Sequence, residues 1–226
     1  MNELRSASRW LAVLLLTQLV VAPITSFALV GDVFGGPGGF LVNAAPHATA
    51  LASAALMSFA LAVVSAGIAV VLWSVLRPQC ERLALSLAIL GAANIALAGI
   101  EATAMLSMLS LSQAYTAAGA PDETLYQALR GVVGAQRNWA HLVNLLAGGG
   151  MLLAMYAALF RLQLVPRWLA GFGMLASVSQ MIAVTKPLYG GWVVFPMLAP
   201  LGIANLLLIG WLFWRPNVAV PAVKAG

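Results

Sequence analysis

Six long apolar stretches, separated by short polar segments, make up most of this chain. They cover about residues 10–30, 48–76, 83–111, 132–160, 168–184 and 193–214. A helix of about 20 predominantly apolar residues is long enough to cross the hydrocarbon core of a bilayer. The pattern therefore predicts an all-α, polytopic transmembrane bundle of six helices, forming a single domain over residues 1–226. Pro196 and Pro200 fall inside the sixth stretch and predict a kink in its helix.

Basic residues recur in every second gap between the apolar stretches. Eight of the 11 lysines and arginines follow this rhythm: Arg5, Arg9, Arg77, Arg82, Arg161, Arg167, Arg215 and Lys224. The cytoplasmic loops of membrane proteins carry an excess of lysine and arginine. The rhythm therefore predicts that both termini face the cytoplasm, as expected for a multi-pass protein of the cell (inner or plasma) membrane.

Composition supports lipid as the main solvent of the chain. Hydrophobic residues make up 62% of the sequence and charged residues only 8%, whereas soluble domains carry roughly 25% charged residues. The net charge of +5 raises nucleic-acid binding as an alternative. Because the basic residues form no dense patch with aromatic residues between them, we expect the lipid bilayer, and no nucleic acid, as a partner.

The first apolar stretch has a second interpretation as a cleaved secretory signal. Arg5 and Arg9 precede an apolar run, and residues 26–28 (Ser-Phe-Ala) form a passable cleavage pattern. The run is longer than a typical signal core and contains Pro23, which favours an uncleaved helix. Cleavage would leave five spans. The glycine-rich segment that follows, residues 31–46, lacks the context of a phosphate-binding loop, so we expect a flexible linker.

Polar and ionisable residues inside the predicted third, fourth and fifth helices are the candidates for function. They are Asn94, Glu101, Arg137, His141, Asn144, Ser179 and Lys186. Within each helix they are spaced by three, four or seven residues, so they share one face. The helical rise places Glu101, His141 and Lys186 roughly 27–28 Å above the cytoplasmic ends, in the outer half of the bilayer. Such groups usually face the interior of a bundle.

We therefore expect these seven residues to form one polar cluster, in which Glu101 pairs with Arg137 or Lys186. The favoured function is the binding, or the passage, of a small ligand at this cluster from the outer side. One alternative is an ion pair that only holds helices in register, in a structural or regulatory subunit with a membrane-protein partner or as a homo-oligomer. Another is a membrane enzyme that uses Glu101 and His141 as acid and base.

No cofactor or metal is expected from the sequence. His47 lies at the outer end of the second span, on the order of 15 Å from the level of His141, so the two cannot be axial ligands of one haem. The HExxH and GxSxG patterns are absent. Cys80 is the only cysteine, so an intrachain disulfide and a cysteine-based metal site are excluded.

Two segments around the cytoplasmic gaps resemble a known family. In VLWSVLRPQCERLALSLAILGAANIAL, one helix ends in Leu-Arg-Pro before the next begins, and in YAALFRLQLVPRWLAGFGML, Leu-Val-Pro-Arg-Trp-Leu starts a helix. With these segments the chain resembles a bacterial family of small integral membrane proteins, domain of unknown function 4386, from the first helix to Arg215. The resemblance implies a six-helix membrane protein and supplies no catalytic residues.

Overall fold

The structure is a computed structural model that describes residues 2–119 and 123–214. Two of the basic residues that contribute to the charge rhythm, Arg215 and Lys224, lie outside the described residues. The side chain of a third, Arg5, lies outside the described part as well.

Eight α-helices, numbered in chain order, account for most of the described residues. They are α1 (Asn2–Pro23), α2 (Gly31–Gly35), α3 (Phe40–Asn43), α4 (Ala48–Leu76), α5 (Glu81–Ala117), α6 (Glu123–Arg161), α7 (Arg167–Thr185) and α8 (Ala199–Trp214). Among the described residues, six helical segments are long and apolar enough to cross a membrane. They are Ser6–Leu29, Ala48–Leu76, Glu81–Ala117, Thr124–Arg161, Arg167–Tyr189 and Phe195–Trp214. The predicted fold class, an all-α polytopic bundle with six spans, is confirmed.

The helices α5 and α6 extend beyond the apolar stretches that predicted them. α5 continues to Ala117, and α6 begins at Glu123 rather than near residue 132. The apolar pattern marks where lipid solvates a helix, and backbone hydrogen bonding continues past that point. Polar side chains are compatible with the extension, as Thr116 shows by donating its hydroxyl to the carbonyl of Ser112 at 2.9 Å.

The predicted proline kink in the sixth span is wrong. α8 begins at Ala199, so Pro200 lies in its first turn, and Pro196 belongs to a preceding 3₁₀ turn, Phe195–Met197. Proline lacks an N–H and is tolerated in the first turn, where that group has no helical acceptor. The two prolines therefore precede and begin the helix instead of bending it.

The described chain divides into two compact units, which we consider separately. Unit 1 contains the described parts of residues 1–19, 63–94 and 145–226, and unit 2 contains residues 20–62 and 95–144 except those outside the described part. The prediction of one domain over the whole chain stays a prediction.

Unit 1 has a core of aliphatic side chains around one buried tyrosine. Tyr156 of α6 is fully buried, and its hydroxyl donates to Oδ1 of Asn205 in α8 at 2.8 Å. Its ring lies directly against Gly173 of α7, where a Cβ would have no room. A side chain at Gly173 is thus excluded by the close approach of α6 and α7.

Unit 2 contains the glycine-rich segment, which is structured. Its helices α2 and α3 bury Val33, Phe40 and Leu41, and Gly39 adopts a left-handed φ of 62°. The hydroxyl of Ser112 in α5 donates to the carbonyl of Leu41 at 2.9 Å. The same hydroxyl accepts a hydrogen bond, also at 2.9 Å, from the backbone N–H of residue 45, just after α3. Buried apolar side chains and these hydrogen bonds fix the segment, so the prediction of a flexible linker is wrong.

Candidate functional site

The polar cluster of unit 2 is centred on the carboxylate of Glu101 in α5. The Glu101 side chain is only 4% exposed. Its Oε1 accepts a hydrogen bond from Nδ1 of His141 at 2.8 Å, and its Oε2 accepts one from Nδ2 of Asn144 at 2.9 Å. Nη2 of Arg137 lies 3.8 Å from Oε1. Four of the seven predicted residues therefore come together. Of the two cations predicted as partners of Glu101, Arg137 is the one that lies beside it.

The local sequence of α6 explains how three of these side chains reach one carboxylate. Arg137, His141 and Asn144 are spaced by four and then three residues. This spacing places them on one face of a helix, one above the other. Their alignment with Glu101 gives the carboxylate two hydrogen-bond donors and one nearby cation, which lowers the cost of burying it.

His141 is held by one ring nitrogen and leaves the other available. A carboxylate only accepts hydrogen bonds, so Nδ1 of His141 carries the proton in its contact with Glu101. Nε2 makes no hydrogen bond within the described residues, and the side chain is 30% exposed. The carboxylate thereby fixes the orientation of the ring while its second nitrogen remains able to bind.

Arg137 has a charge partner but lacks hydrogen bonds. Its Nη2 is 3.8 Å from Glu101, too far for a hydrogen bond. Its Nε is buried without a partner among the described residues. The guanidinium carbon lies 4.6 Å from the centroid of the Phe34 ring, within the range of a cation–π contact. The side chain is 18% exposed, so part of the arginine remains accessible.

The three other predicted site residues belong to unit 1. The hydroxyl of Ser179 donates to the carbonyl of Met197 at 3.0 Å, which ties α7 to the 3₁₀ turn before α8. Lys186 begins another 3₁₀ turn, Lys186–Tyr189, which directly follows α7. Asn94 is buried in α5. Their membership of a common site stays a prediction.

Phe34 is the contact of the site that sequence reasoning missed. It lies in α2, within the segment that was expected to be a linker. The apolar pattern identifies Phe34 only as a hydrophobic residue, and it gives no signal that the ring lies over an arginine far along the chain. A packed α2 is what positions the ring.

The chemistry of the cluster is that of hydrogen bonding and charge. Within the described residues, no group of three or more histidine, cysteine, aspartate or glutamate side chains is arranged to hold a metal ion. A small cleft in unit 1 lies between Leu11, Leu72 and Leu212, with only Ser8 as a polar lining residue. The Glu101 cluster is therefore the better candidate for selective binding of a polar molecule.

The six spans and the charged cluster within them define a multi-pass membrane protein. The chain belongs to the family described as Domain of unknown function (DUF4386), whose model matches residues 11–215. This match confirms the family resemblance seen in the sequence. Neither a curated protein nor a solved structure matches the chain significantly.

Proposed function

We propose that this protein of the cell (plasma) membrane binds, or passes, a small polar ligand at the cluster of Glu101, Arg137, His141 and Asn144, and that the ligand enters from the outer side. One observation carries the proposal. A buried carboxylate fixes His141 through Nδ1, while Nε2 makes no hydrogen bond within the described residues and the ring stays 30% exposed.

The distribution of burial favours a binding site over an ion pair that only holds helices together. A structural pair inside a membrane is stable when both partners are enclosed and their donors are satisfied. Glu101 meets this condition, whereas Nε of Arg137 has no partner among the described residues and the His141 side chain is only partly buried. Ionisable groups in spans usually face the bundle interior or a water-filled cavity, where a ligand can bind.

Histidine labelling tests the proposal with an internal control, because the chain contains only His47 and His141. Diethyl pyrocarbonate reacts with unprotonated imidazole nitrogens. In maltoside detergent we expect both histidines to be labelled. Phosphate, acetate, glycine, glucose and choline, the panel of solutes, are then added, each in a separate reaction. At least one solute should slow labelling of His141 about tenfold when its concentration is ten times its Kd, and leave labelling of exposed His47 unchanged.

Two results would contradict this proposal. The first is a His141 that resists labelling without any solute, which would mean a sealed cluster. The second is a His141 that reacts freely whichever solute of the panel is present, and also with phosphatidylglycerol in the micelles. A purely structural subunit, which docks a membrane-protein partner or a second copy, predicts either of these results.

The variant Glu101→Gln separates a functional from a structural carboxylate. The amide keeps an acceptor for His141 but removes the charge, so we expect a folded protein, destabilised by roughly 1–2 kcal/mol, that has lost solute protection. Glu81→Gln is the matched control, because it removes an exposed carboxylate from the first turn of the same helix. Loss of folded Glu101→Gln protein in gel filtration, with Glu81→Gln intact, would indicate a structural role.

We also propose that both termini face the cytoplasm. The basic residues in the gaps between spans support this orientation through the excess of positive charge on inner loops. Cys80 is the only cysteine, so Cys80→Ser permits a single new cysteine at either terminus. We expect a membrane-impermeant maleimide to label neither terminus in intact cells and both after permeabilisation. Labelling of one terminus in intact cells would contradict the proposed topology.

A further inference from the structure

We infer that the ligand of this cluster is an oxyanion, a carboxylate or a phosphate group, held between the terminal guanidinium nitrogens of Arg137 and Nε2 of His141. The inference rests on the proposed function and names the chemical class of its ligand.

The first argument is the unused donor capacity of Arg137. A guanidinium carries five N–H donors, and those of Arg137 make no hydrogen bond within the described residues. Because Nε is the buried donor, a ligand reaches the group at its Nη1 and Nη2 edge. Two parallel N–H groups at that edge match two oxygens of a carboxylate or a phosphate.

The second argument is that the only negatively charged acceptor within this four-residue cluster, the carboxylate of Glu101, is already occupied. Both oxygens of Glu101 accept hydrogen bonds, one from His141 and one from Asn144. The carboxylate side chain is also only 4% exposed. A cationic ligand would need this carboxylate as its counter-charge, and the guanidinium of Arg137 beside it would repel such a ligand. The charge that remains within reach is therefore positive, which selects an anion.

The third argument is charge balance. Glu101 and Arg137 carry opposite charges and lie 3.8 Å apart, so the cluster is neutral when the His141 ring is neutral. An anion that arrives together with one proton on His141 keeps the total charge at zero. In that form Nε2–H donates to the anion, while Glu101 on Nδ1 stabilises the imidazolium, as carboxylates do in carboxylate–histidine pairs.

Phe34 supports the same geometry. Its ring centroid is 4.6 Å from the guanidinium carbon of Arg137. This cation–π contact restrains the position of the guanidinium group without using any of its N–H donors. The Nη1 and Nη2 edge is where a bidentate oxyanion binds.

The test uses the labelling of His141 in phosphate-free maltoside with four soluble probes and one lipid. Inorganic phosphate and acetate are the anions, glucose is the neutral probe and choline is the cation. Phosphatidylglycerol, added to the micelles, offers the same oxyanion on a lipid. We expect at least one of the three anionic probes to slow labelling of His141, and glucose and choline to leave it unchanged. Protection by phosphatidylglycerol alone assigns the site to a lipid headgroup, and protection by phosphate or acetate assigns it to a soluble anion.

Variants of Arg137 locate the anion. We expect Arg137→Gln to abolish anion protection of His141. Arg137→Lys keeps the positive charge but lacks the planar pair of N–H donors. It should weaken anion protection of His141 about tenfold, which corresponds to the loss of roughly one bidentate contact. Arg130→Gln is the matched control: it removes the same charge from the same helix, where Arg130 donates to Gln127. Arg130→Gln should retain full protection. If Arg137→Gln does not fold, Arg137→Lys alone decides.

The anion class, the role of Arg137 and the proposed function would each be overturned by a different result. Protection by glucose or choline and not by the anionic probes would overturn the anion class and leave the proposed function standing. Undiminished anion protection in Arg137→Gln or Arg137→Lys would overturn the role of Arg137. Protection by none of these probes, by neither the lipid nor the glycine of the first panel, would overturn both the anion class and the proposed function.

Discussion

Replacing Gly173 by alanine should destabilise the protein by about 3 kcal/mol, the upper part of the range for overpacking a buried site. A Cβ on Gly173 would overlap Cε1, Cδ1 and Cγ of the Tyr156 ring. The ring cannot retreat easily, because it is fully buried and its hydroxyl is bonded to Asn205 at 2.8 Å. Either this hydrogen bond breaks or α6 and α7 move apart.

The measurement is the midpoint of thermal unfolding of the purified protein in detergent. For a chain of this length, about 3 kcal/mol corresponds to a decrease of roughly 10 °C. Gly171→Ala is the control, since its Cβ would meet only Cε2 of Phe160 at 4.0 Å, an ordinary contact in the same helix. We expect its midpoint to stay within about 2 °C of the wild type. Equal midpoints for the two variants would show that α6 and α7 do not approach each other as closely as described.

Replacing Glu101 by leucine should cost about 3–5 kcal/mol, the usual cost of removing one partner of a buried ion pair. Leucine leaves the donors of His141 and Asn144 without their acceptor and the guanidinium of Arg137 without its counter-charge. This effect should exceed that of glutamine at the same position, because glutamine still accepts a hydrogen bond. Glu81→Leu, at an exposed carboxylate of the same helix, should change stability by less than about 1 kcal/mol.

A double substitution separates the effect of an unpaired charge on stability from the effect of lost packing. In Glu101→Leu/Arg137→Leu both charges are absent, so we expect the double variant to be more stable than Glu101→Leu alone, with a coupling on the order of 2 kcal/mol. Thermal or denaturant unfolding of the four proteins of this cycle measures the coupling. Strictly additive losses would show that Glu101 and Arg137, 3.8 Å apart in the structure, do not interact.

The spans were predictable because lipid imposes one strong rule on sequence. A helix in hydrocarbon needs about 20 apolar residues, so the number and the positions of the six spans follow from the apolar stretches. The ends of α5 and α6 did not follow, since a helix that continues past the hydrocarbon core needs no apolar residues there. Proline was ambiguous for a similar reason: Pro200 is compatible with a kink or with a first turn, and only the position of the helix start decides.

The candidate site was predictable in part. The spacing of Arg137, His141 and Asn144 places them on one helical face, and an intramembrane carboxylate at Glu101 needs such partners. Depth counting gave the level of a side chain along its helix and no information about the direction in which it points. Ser179 illustrates the limit, because its hydroxyl bonds to the carbonyl of Met197, a partner that no periodicity reveals. Phe34 depends on the folding of α2 and α3, which the glycine-rich sequence did not indicate.

A density map of the purified protein, determined with inorganic phosphate, acetate and phosphatidylglycerol present, would show whether the cluster binds an oxyanion. We expect density of a bound group against the terminal nitrogens of Arg137 and Nε2 of His141, with Glu101 still accepting from Nδ1 of His141 and from Asn144. The contradicting result is a cluster closed by protein side chains, which hydrogen-bond the guanidinium of Arg137 and Nε2 of His141 and leave no room for a ligand.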